Sequence, residues 1–331
     1  MLTHRQRIEH CLAGEKPDRV PLALWRHFPV DDQSPETLAN ATINYQRTFD
    51  LDIIKVSPAS SYCLRDWGVK DEWLGAPEGT REYNGRLIKL PEDWEKLPVL
   101  DPDKGSLGNQ ISCLRILFNE YGPGTPIIQT IFNPLSQAKN LIGKDNIVPF
   151  LRMYPDALHT GLKIITETTI KFIEEIKLTG ISGIFFAVQH AQHSLLTIDE
   201  YEEFGKFYDL AILQAAEDMW LKMLHIHGKD IMFNLFLDYP VNIYNWHDQE
   251  TDPGLFEAKA LIDDGVVCGG LNRISTMVLG NSHSAVNEAQ MAIEQTESVR
   301  FILGTGCVLP VTTPFGNIIS VRNFLENIRL S

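Results

Sequence analysis

Eight short apolar runs, separated by longer segments of helical periodicity, constrain the fold of this chain more than any other feature of its sequence. Such alternation predicts the buried strands of a parallel sheet, each followed by a helix. The runs lie at residues 21–25, 52–56, 127–132, 183–188, 222–226, 242–245, 266–270 and 300–303. Eight is the strand number of a (β/α)8 barrel, so we predict that fold for a single domain spanning residues 1–331.

The segment between the second and third predicted strands is unusually long and predicts an insertion at about residues 67–121. Its first part is typical of a small β-hairpin with Asn84-Gly85 at the turn, and a helix is predicted at residues 108–119. A longer amphipathic helix is predicted at residues 154–179, with Gly180 as its C-terminal stop. We expect the insertion to lie beside the mouth of the barrel.

The charge balance excludes some classes of partner. Asp and Glu number 43 against 29 Lys and Arg, a net charge of −14, whereas nucleic acids and anionic membranes need a basic surface. The five scattered cysteines favour a reducing compartment. No run approaches the roughly 20 apolar residues of a membrane span, and the charged N-terminus does not resemble a signal peptide. These features predict a soluble, cytoplasmic protein.

Polar side chains concentrate directly after the predicted strands, where a barrel has its active site. Six of the ten histidines are found there: His27, His190, His193, His225, His227 and His247. The other candidates at this face are Arg26, Tyr62, Asn133, Gln189, Trp246, Asp248, Asn272 and Cys307. This clustering at one face predicts an active site at the barrel mouth.

Three of these residues form a candidate metal site. His225 and His227 are alternate residues at a strand end, so both imidazoles can face one point. With Cys307 after the last strand they make a His2Cys set with one open position, which is typical of catalytic zinc. The ordinary alternatives are two core or surface histidines and a small buried cysteine. A fourth ligand from Gln189, His190 or Asp248 stays open.

The order of several motifs resembles the uroporphyrinogen decarboxylase superfamily. The motifs are RQRIEHCLAGEKPDRVP at 5–21, GISGIFF at 180–186, LHIHG at 224–228, Gly269-Gly270, GTGCVLP at 304–310, Thr313-Pro314 and Asn317. The resemblance spans nearly the whole chain and implies a (β/α)8 barrel with its site at the mouth. A homodimer is a further expectation from the resemblance.

Site positions separate the two branches of that superfamily. Its metal-free decarboxylases carry an aspartate after the second strand, where this chain has Pro58, and a histidine after the last strand, where it has Cys307. Of their arginine-rich segment after the first strand, only Arg26 matches. The chain is therefore more similar to the branch of zinc methyltransferases. A carboxy-lyase of the decarboxylase type is the alternative.

The methyltransferase branch transfers a methyl group from a corrinoid to a thiol or folate acceptor. Its coenzyme M-type members hold zinc with His-x-Cys after the fifth strand and a cysteine after the eighth. His225 and Cys307 match, whereas His227 replaces a cysteine and leaves the site one negative charge poorer. The resemblance thus implies one Zn2+ per chain and a methyl-corrinoid donor, carried by a partner protein.

The remaining candidates receive roles within that hypothesis. Arg26 would hold an anionic tail of the acceptor, or alternatively form a salt bridge with Asp31 or Asp32. Polar contacts would come from Gln189, His190 and Asp248. The candidates for contact with the corrinoid are Tyr62, Asn133, Trp246 and Asn272. For the aromatic residues, packing in the core and rim is the favoured alternative.

Two other functions compete with methyl transfer. Water on the open zinc position would support hydrolysis or lyase chemistry, with His190 or Asp248 as the general base. A non-catalytic barrel would instead act through a partner surface, and the clustering of histidines speaks against it.

Overall fold

Ten strands and eleven helices make up residues 1–328, the part of the chain that the computed structural model describes. The last three residues of the predicted domain lie outside it. The strands are β1 (Leu22–Ala23), β2 (Ile54–Val56), β3 (Asp71–Glu72), β4 (Glu82–Tyr83), β5 (Ile127–Phe132), β6 (Gly183–Val188), β7 (Leu221–Ile226), β8 (Ile243–Trp246), β9 (Val266–Leu271) and β10 (Phe301–Thr305). The helices are α1 (His4–Ala13), α2 (Pro35–Phe49), α3 (Gly105–Tyr121), α4 (Pro134–Ile142), α5 (Ile147–Met153), α6 (Pro155–Lys177), α7 (Ile198–Tyr201), α8 (Phe207–Ala215), α9 (Leu255–Leu261), α10 (Ser282–Thr296) and α11 (Phe315–Asn327).

Eight of the strands form one parallel sheet that curves into a barrel. Its order is β1-β10-β9-β8-β7-β6-β5-β2, and every pairing between neighbours is parallel. The sheet is closed between β1 and β2 by Asp52: its backbone N–H donates to the Leu22 carbonyl at 2.8 Å, and its carboxylate accepts the Leu22 N–H at 2.8 Å. The predicted (β/α)8 barrel is confirmed.

All eight predicted barrel strands are present, with boundaries within two residues of the prediction. Their β-branched and aromatic residues fit a sheet that is buried on both faces. The interior contains Trp25, Phe185, Met223 and Ile302. A second, larger apolar layer separates the strands from the surrounding helices.

The insertion between β2 and β5 contains the predicted hairpin, but its turn lies elsewhere. Strands β3 and β4 pair antiparallel and are joined by residues 73–81, whereas Asn84-Gly85 follows the second strand. The prediction placed the turn there because Asn-Gly favours tight hairpins; here Gly85 has a φ of 86° in the chain leaving the hairpin. The two long predicted helices correspond to α3 and α6.

Several helix ends agree with local signals in the sequence. The Thr3 side chain caps α1 in a reciprocal arrangement with Gln6, and Ser34 caps α2 before Pro35. Gly180 follows α6 with a φ of 85°, a conformation that favours glycine, so it fits the predicted stop. Within residues 1–328, no helix combines the length and apolar character that crossing a membrane requires.

Candidate functional site

Strand β7 presents two histidines to the barrel mouth. His225 is its penultimate residue and is 4% exposed, and His227 follows the strand directly. Because alternate residues of a strand face the same side, both rings turn toward one point, with centroids 5.7 Å apart. The predicted geometry of the His-x-His pair is therefore present.

Cys307 and His247 complete a cluster of four metal-ligand types, which we call the donor cluster: His225, His227, His247 and Cys307. His247 follows β8, and Cys307 follows β10. One candidate ligand atom from each residue lies within 4.8 Å of the others. His247 Nε2 is 3.2 Å from His227 Nδ1, and Cys307 Sγ is 3.8 Å from that same nitrogen.

These distances fit a tetrahedral zinc ion. Zinc bonds of about 2.05 Å to nitrogen and about 2.3 Å to sulfur place two nitrogens about 3.3 Å apart, and a nitrogen and a sulfur about 3.6 Å apart. The two distances measured from His227 differ from these edges by only a few tenths of an ångström. Imidazole and thiolate are also ligands that zinc prefers. The donor cluster therefore fits zinc in its chemistry and in the two distances measured from His227.

A buried asparagine fixes the orientation of His225. Asn245 Nδ2 donates to the carbonyls of Cys268 at 2.9 Å and Thr305 at 3.0 Å, so its Oδ1 faces His225 Nδ1 at 2.7 Å. An amide oxygen only accepts hydrogen bonds, so His225 carries its proton on Nδ1. Its Nε2 is left as the metal-binding atom, an arrangement common around metal-bound histidines.

Burial disfavours the protonated forms of His225 and His227. It lowers the pKa of His225 well below the ordinary value, and the neighbouring His227 and His247 lower it further. The pKa of His227 is also lowered, again chiefly by burial. Since a metal binds the neutral imidazole, neither ring has to lose a proton at neutral pH before it can act as a ligand.

The donor cluster borders a pocket at the barrel mouth, which we call the mouth pocket. Its lining residues are Trp25, His27, Lys55, Pro58, Ser60, Glu78, Thr80, Thr130, Phe132, Phe185, Ala187, Gln189, His225, His227, Cys307 and Val308. The wall is mainly aromatic and aliphatic, with a few polar groups that converge on it. Small-molecule sites commonly have this composition.

The hairpin insertion supplies one wall of the mouth pocket. In its connecting loop, the Pro77 carbonyl accepts the Val311 N–H at 2.7 Å, and the Glu78 carboxylate pairs with Arg273. Gly79 packs so closely that a Cβ there would lie 2.6 Å from that of His27. The expectation that the insertion lies beside the mouth is therefore met.

Of the four predicted catalytic residues, Gln189 alone lines the mouth pocket. The guanidinium of Arg26 instead donates to the Val311 carbonyl at 3.0 Å and lies over the Phe28 ring. It pairs with neither of the aspartates proposed as the alternative. Asp32, one of the two, pairs with Arg81.

His190, which is half-buried, and Asp248, which is buried, both lie outside the wall of the pocket. The Nδ1 of His190 has no hydrogen-bond partner, and burial together with the Lys139 charge lowers its pKa to about 4. Asp248 accepts the Gly270 N–H at 2.9 Å, and burial raises its pKa to about 7. Neither side chain reaches the mouth pocket.

The two aromatic candidates for corrinoid contact lie within the barrel wall. The Tyr62 hydroxyl donates to the Thr130 carbonyl at 2.6 Å, and Trp246 Nε1 donates to the Pro253 carbonyl at 2.8 Å. Both rings are almost fully buried. Their placement corresponds to the alternative of core packing.

The two asparagine candidates cap local structure. Asn133 Oδ1 accepts the Ser136 N–H at the start of α4, and its amide donates to Asp209 at 3.0 Å. Asn272 Oδ1 accepts the Ser275 N–H at 2.8 Å. These hydrogen bonds use the side chains within the wall and the loop, so neither lines the mouth pocket.

Among known proteins, methyltransferases match nearly the whole chain and a uroporphyrinogen decarboxylase matches about two thirds of it. Methylcobamide:CoM methyltransferase MtbA of Methanosarcina acetivorans and methylcobamide:CoM methyltransferase MtaA of Methanosarcina barkeri are each 22% identical, covering 96% of this chain and 95% of theirs. A uroporphyrinogen decarboxylase of Flavobacterium johnsoniae is 24% identical over 66% of this chain and 64% of its own length.

The same fold occurs in a solved structure, a methyltransferase from Methanosarcina mazei. It matches 98% of this chain and 99% of its own, with a TM-score of 0.86 and 18% identity. The family model described as uroporphyrinogen decarboxylase (URO-D) matches residues 3–328. With a barrel and mouth site that agree with this match, the chain belongs to the uroporphyrinogen decarboxylase family.

Proposed function

We propose that this protein is a zinc-dependent methyltransferase that moves a methyl group from a methyl-corrinoid, carried by a partner protein, to a small thiol. The observation that carries the proposal is the donor cluster, whose nitrogen and sulfur atoms converge at the spacing of zinc ligands on the mouth pocket. Relatives that cover nearly the whole chain are named as methylcobamide:CoM methyltransferases, and their names supply the reaction class.

His225, His227 and Cys307 would hold the zinc, as the sequence predicts, and His247 is added as a fourth donor. When bound, zinc acidifies a coordinated thiol, which makes the thiolate nucleophile available at neutral pH. The histidines supply neutral ligands, and Asn245 holds the ring of His225 in place.

A thiol acceptor needs a position that four protein ligands would fill. We assign His247 as the donor that gives way. The Nδ1 of His225 is held by Asn245 Oδ1 at 2.7 Å, whereas the Nδ1 of His247 lies 3.6 Å from the carboxylate of Glu250, so His247 is the less firmly held of the two rings. The Glu250 carboxylate is itself held by Arg273 at 3.2 Å.

The competing reactions have less support in this geometry. Water-dependent hydrolysis or lyase chemistry would need His190 or Asp248 as base, and neither lines the mouth pocket. Porphyrin decarboxylation would need the aspartate replaced by Pro58 and the histidine replaced by Cys307. A folate acceptor, a homodimer, a cytoplasmic location and the single-domain organisation stay predictions.

Metal content tests the proposal most directly. We expect about one zinc per chain by inductively coupled plasma mass spectrometry, and its loss in Cys307→Ala. Methyl transfer from methylcobalamin to a thiol, followed by corrinoid absorbance, should fall by more than about 100-fold in that variant. Cys113→Ala is the matched control, because Cys113 is buried in α3 outside the mouth pocket.

Two outcomes would contradict the proposal. If wild type and both variants hold no metal even after zinc is supplied, the donor cluster is not a zinc site. If zinc is present but methyl transfer is the same in Cys307→Ala as in wild type, the metal does not serve this reaction.

A further inference from the structure

Lys55 is a buried cation in the wall of the mouth pocket. It is the central residue of β2 and is 8% exposed. Its ammonium donates to Ser57 Oγ at 3.1 Å and lies 4.6 Å from the centre of the Phe185 ring and 5.9 Å from that of Trp25. Within residues 1–328, no carboxylate forms an ion pair with it.

Other buried cations of this chain have acidic partners. Arg7 and Arg19 both pair with Asp52 at 2.6 Å, and Arg81 pairs with Asp32 at 2.7 Å. Burying a charge without such a partner is costly, and burial accordingly lowers the pKa of Lys55 to about 7. A lone ammonium in the wall of a pocket is a feature that an anionic ligand would complete.

The position of Lys55 relative to the donor cluster defines what such a ligand looks like. The Phe185 ring contacts both groups: its centre lies 4.6 Å from the Lys55 ammonium and 5.3 Å from the centroid of the stacked His225 ring. The anion-binding group and the nearest metal-binding ring therefore share one aromatic neighbour. A small ligand can reach both.

The position of Lys55 along its strand indicates how such a ligand would be oriented in the barrel. Lys55 and the donor His225 are each one residue before the end of their strands, whereas His227, His247 and Cys307 follow the ends of theirs. In a barrel of parallel strands, the residues after the strand ends are at the mouth and those within the strands are deeper. The charged end of the ligand would point into the barrel, with the opposite end at the mouth.

We propose that Lys55 binds the carboxylate or sulfonate of the methyl acceptor and thereby selects short thiol acids, whose sulfur it directs toward the mouth. This inference rests on the proposed function and assigns to Lys55 the role that the sequence suggested for Arg26. The sulfur then faces the side from which a protein-bound methyl donor approaches. Glu78, the acidic residue in the wall, is already paired with Arg273.

Binding of two matched thiols to the zinc-loaded protein tests the inference. Calorimetric titration with 3-mercaptopropionate and with 3-mercapto-1-propanol compares an anionic with a neutral tail of similar length. Wild type should prefer the acid by about 10-fold or more, the usual effect of a hydrogen bond to a charged group. In Lys55→Met the preference should disappear, while binding of the neutral thiol is retained.

Lys139→Met is the matched control, since this lysine of α4 does not line the mouth pocket and its loss should leave the preference unchanged. Lys55→Gln serves if the methionine variant does not fold. A preference for the acid that persists after loss of the Lys55 charge would overturn the inference.

A measurement on metal-free protein separates this inference from the proposed function. Propionate should raise the Tm of wild type more than propanol does, and this difference should vanish in Lys55→Met. If that holds while zinc or thiol binding fails, Lys55 is an anion site but the methyltransferase proposal is wrong. If zinc and both thiols bind without any effect of Lys55, the proposed function stands and the inference is wrong.

Discussion

Two residues three positions apart, Asp52 and Lys55, show how differently the two ends of this barrel use buried charge. The Asp52 carboxylate accepts hydrogen bonds from Arg7 and Arg19, each at 2.6 Å, and from the Leu22 N–H. We call Asp52 and its two arginines the floor cluster. Lys55, farther along the same segment, has no carboxylate partner among the described residues.

The buried charges of the floor cluster stabilise the fold, whereas those at the mouth are available for binding. The floor cluster uses its charges within the fold, where they close the sheet between the first and second barrel strands. At the mouth, the Lys55 ammonium, the imidazoles of His225 and His227 and the Cys307 thiol line a pocket. Buried charges that are satisfied internally serve the fold, whereas those at the strand ends are available to a ligand.

Breaking the floor cluster should produce the largest effect on stability. Asp52→Ala leaves two buried guanidinium groups without their anion, and we expect a loss of about 3–5 kcal/mol in the free energy of unfolding. Urea denaturation measures this loss. The control is Glu120→Ala, which removes a solvent-exposed pair with Arg47 and should change the stability far less than Asp52→Ala does.

Acid titration sharpens the same test. Burial alone would raise the pKa of Asp52, but the hydrogen bond from His4 and the charges of Arg19 and Arg7 lower it below its ordinary 3.8. Its stabilising contribution is therefore complete above pH 3.8 and decreases as the pH falls below that value. Equal stability of wild type and Asp52→Ala at neutral pH would show that the floor cluster does not support the fold.

At the mouth, loss of the support for His225 should weaken metal binding rather than folding. Asn245→Ala removes the acceptor that holds the Nδ1 proton, and we expect zinc affinity to fall by about 10–100-fold. Competition with a chelating dye gives the affinity. Unchanged affinity would mean that the strand alone orients His225.

The smallest expected effect is the contribution of Lys55 to the pH dependence of stability, measured on metal-free protein without added anions. Its pKa is about 7 when folded, against an ordinary 10.5, so folding releases a proton between these values. The stability of wild type should therefore rise with pH relative to Lys55→Met, by at most about 1.4 kcal/mol between pH 7.5 and 8.5. Parallel urea curves at the two pH values measure the change. If the difference in stability between wild type and Lys55→Met is the same at both pH values, Lys55 is already paired.

The barrel was predictable from the sequence because each strand is a short apolar run bounded by polar residues. The metal-ligand types were predictable because residues after consecutive strand ends must meet at one face. His247 was placed at that face but not among the ligands. Its position directly after β8, adjacent to β7 and the His-x-His pair, was the signal that could have identified it.

What the sequence did not predict depends on side-chain direction and on partners distant in the chain. Arg26 reaches a carbonyl near the C-terminus, at Val311, instead of the pocket. Asn245 is an ordinary strand residue until the barrel places its amide beside His225. For Lys55, a lysine within the apolar run IIKV was the available signal, but the strand alone does not show which face is the barrel interior.

The residues of the donor cluster follow or lie in separate strands, so the cluster can form only late in folding. His225 and Cys307 are brought together only when the last barrel strand pairs with its neighbours on both sides. During synthesis the chain therefore carries its histidines before it has a complete ligand set. Under the proposed function, zinc would need donors from β7 and from the residues after β10, so it would bind only the finished barrel and would add its binding energy to that state.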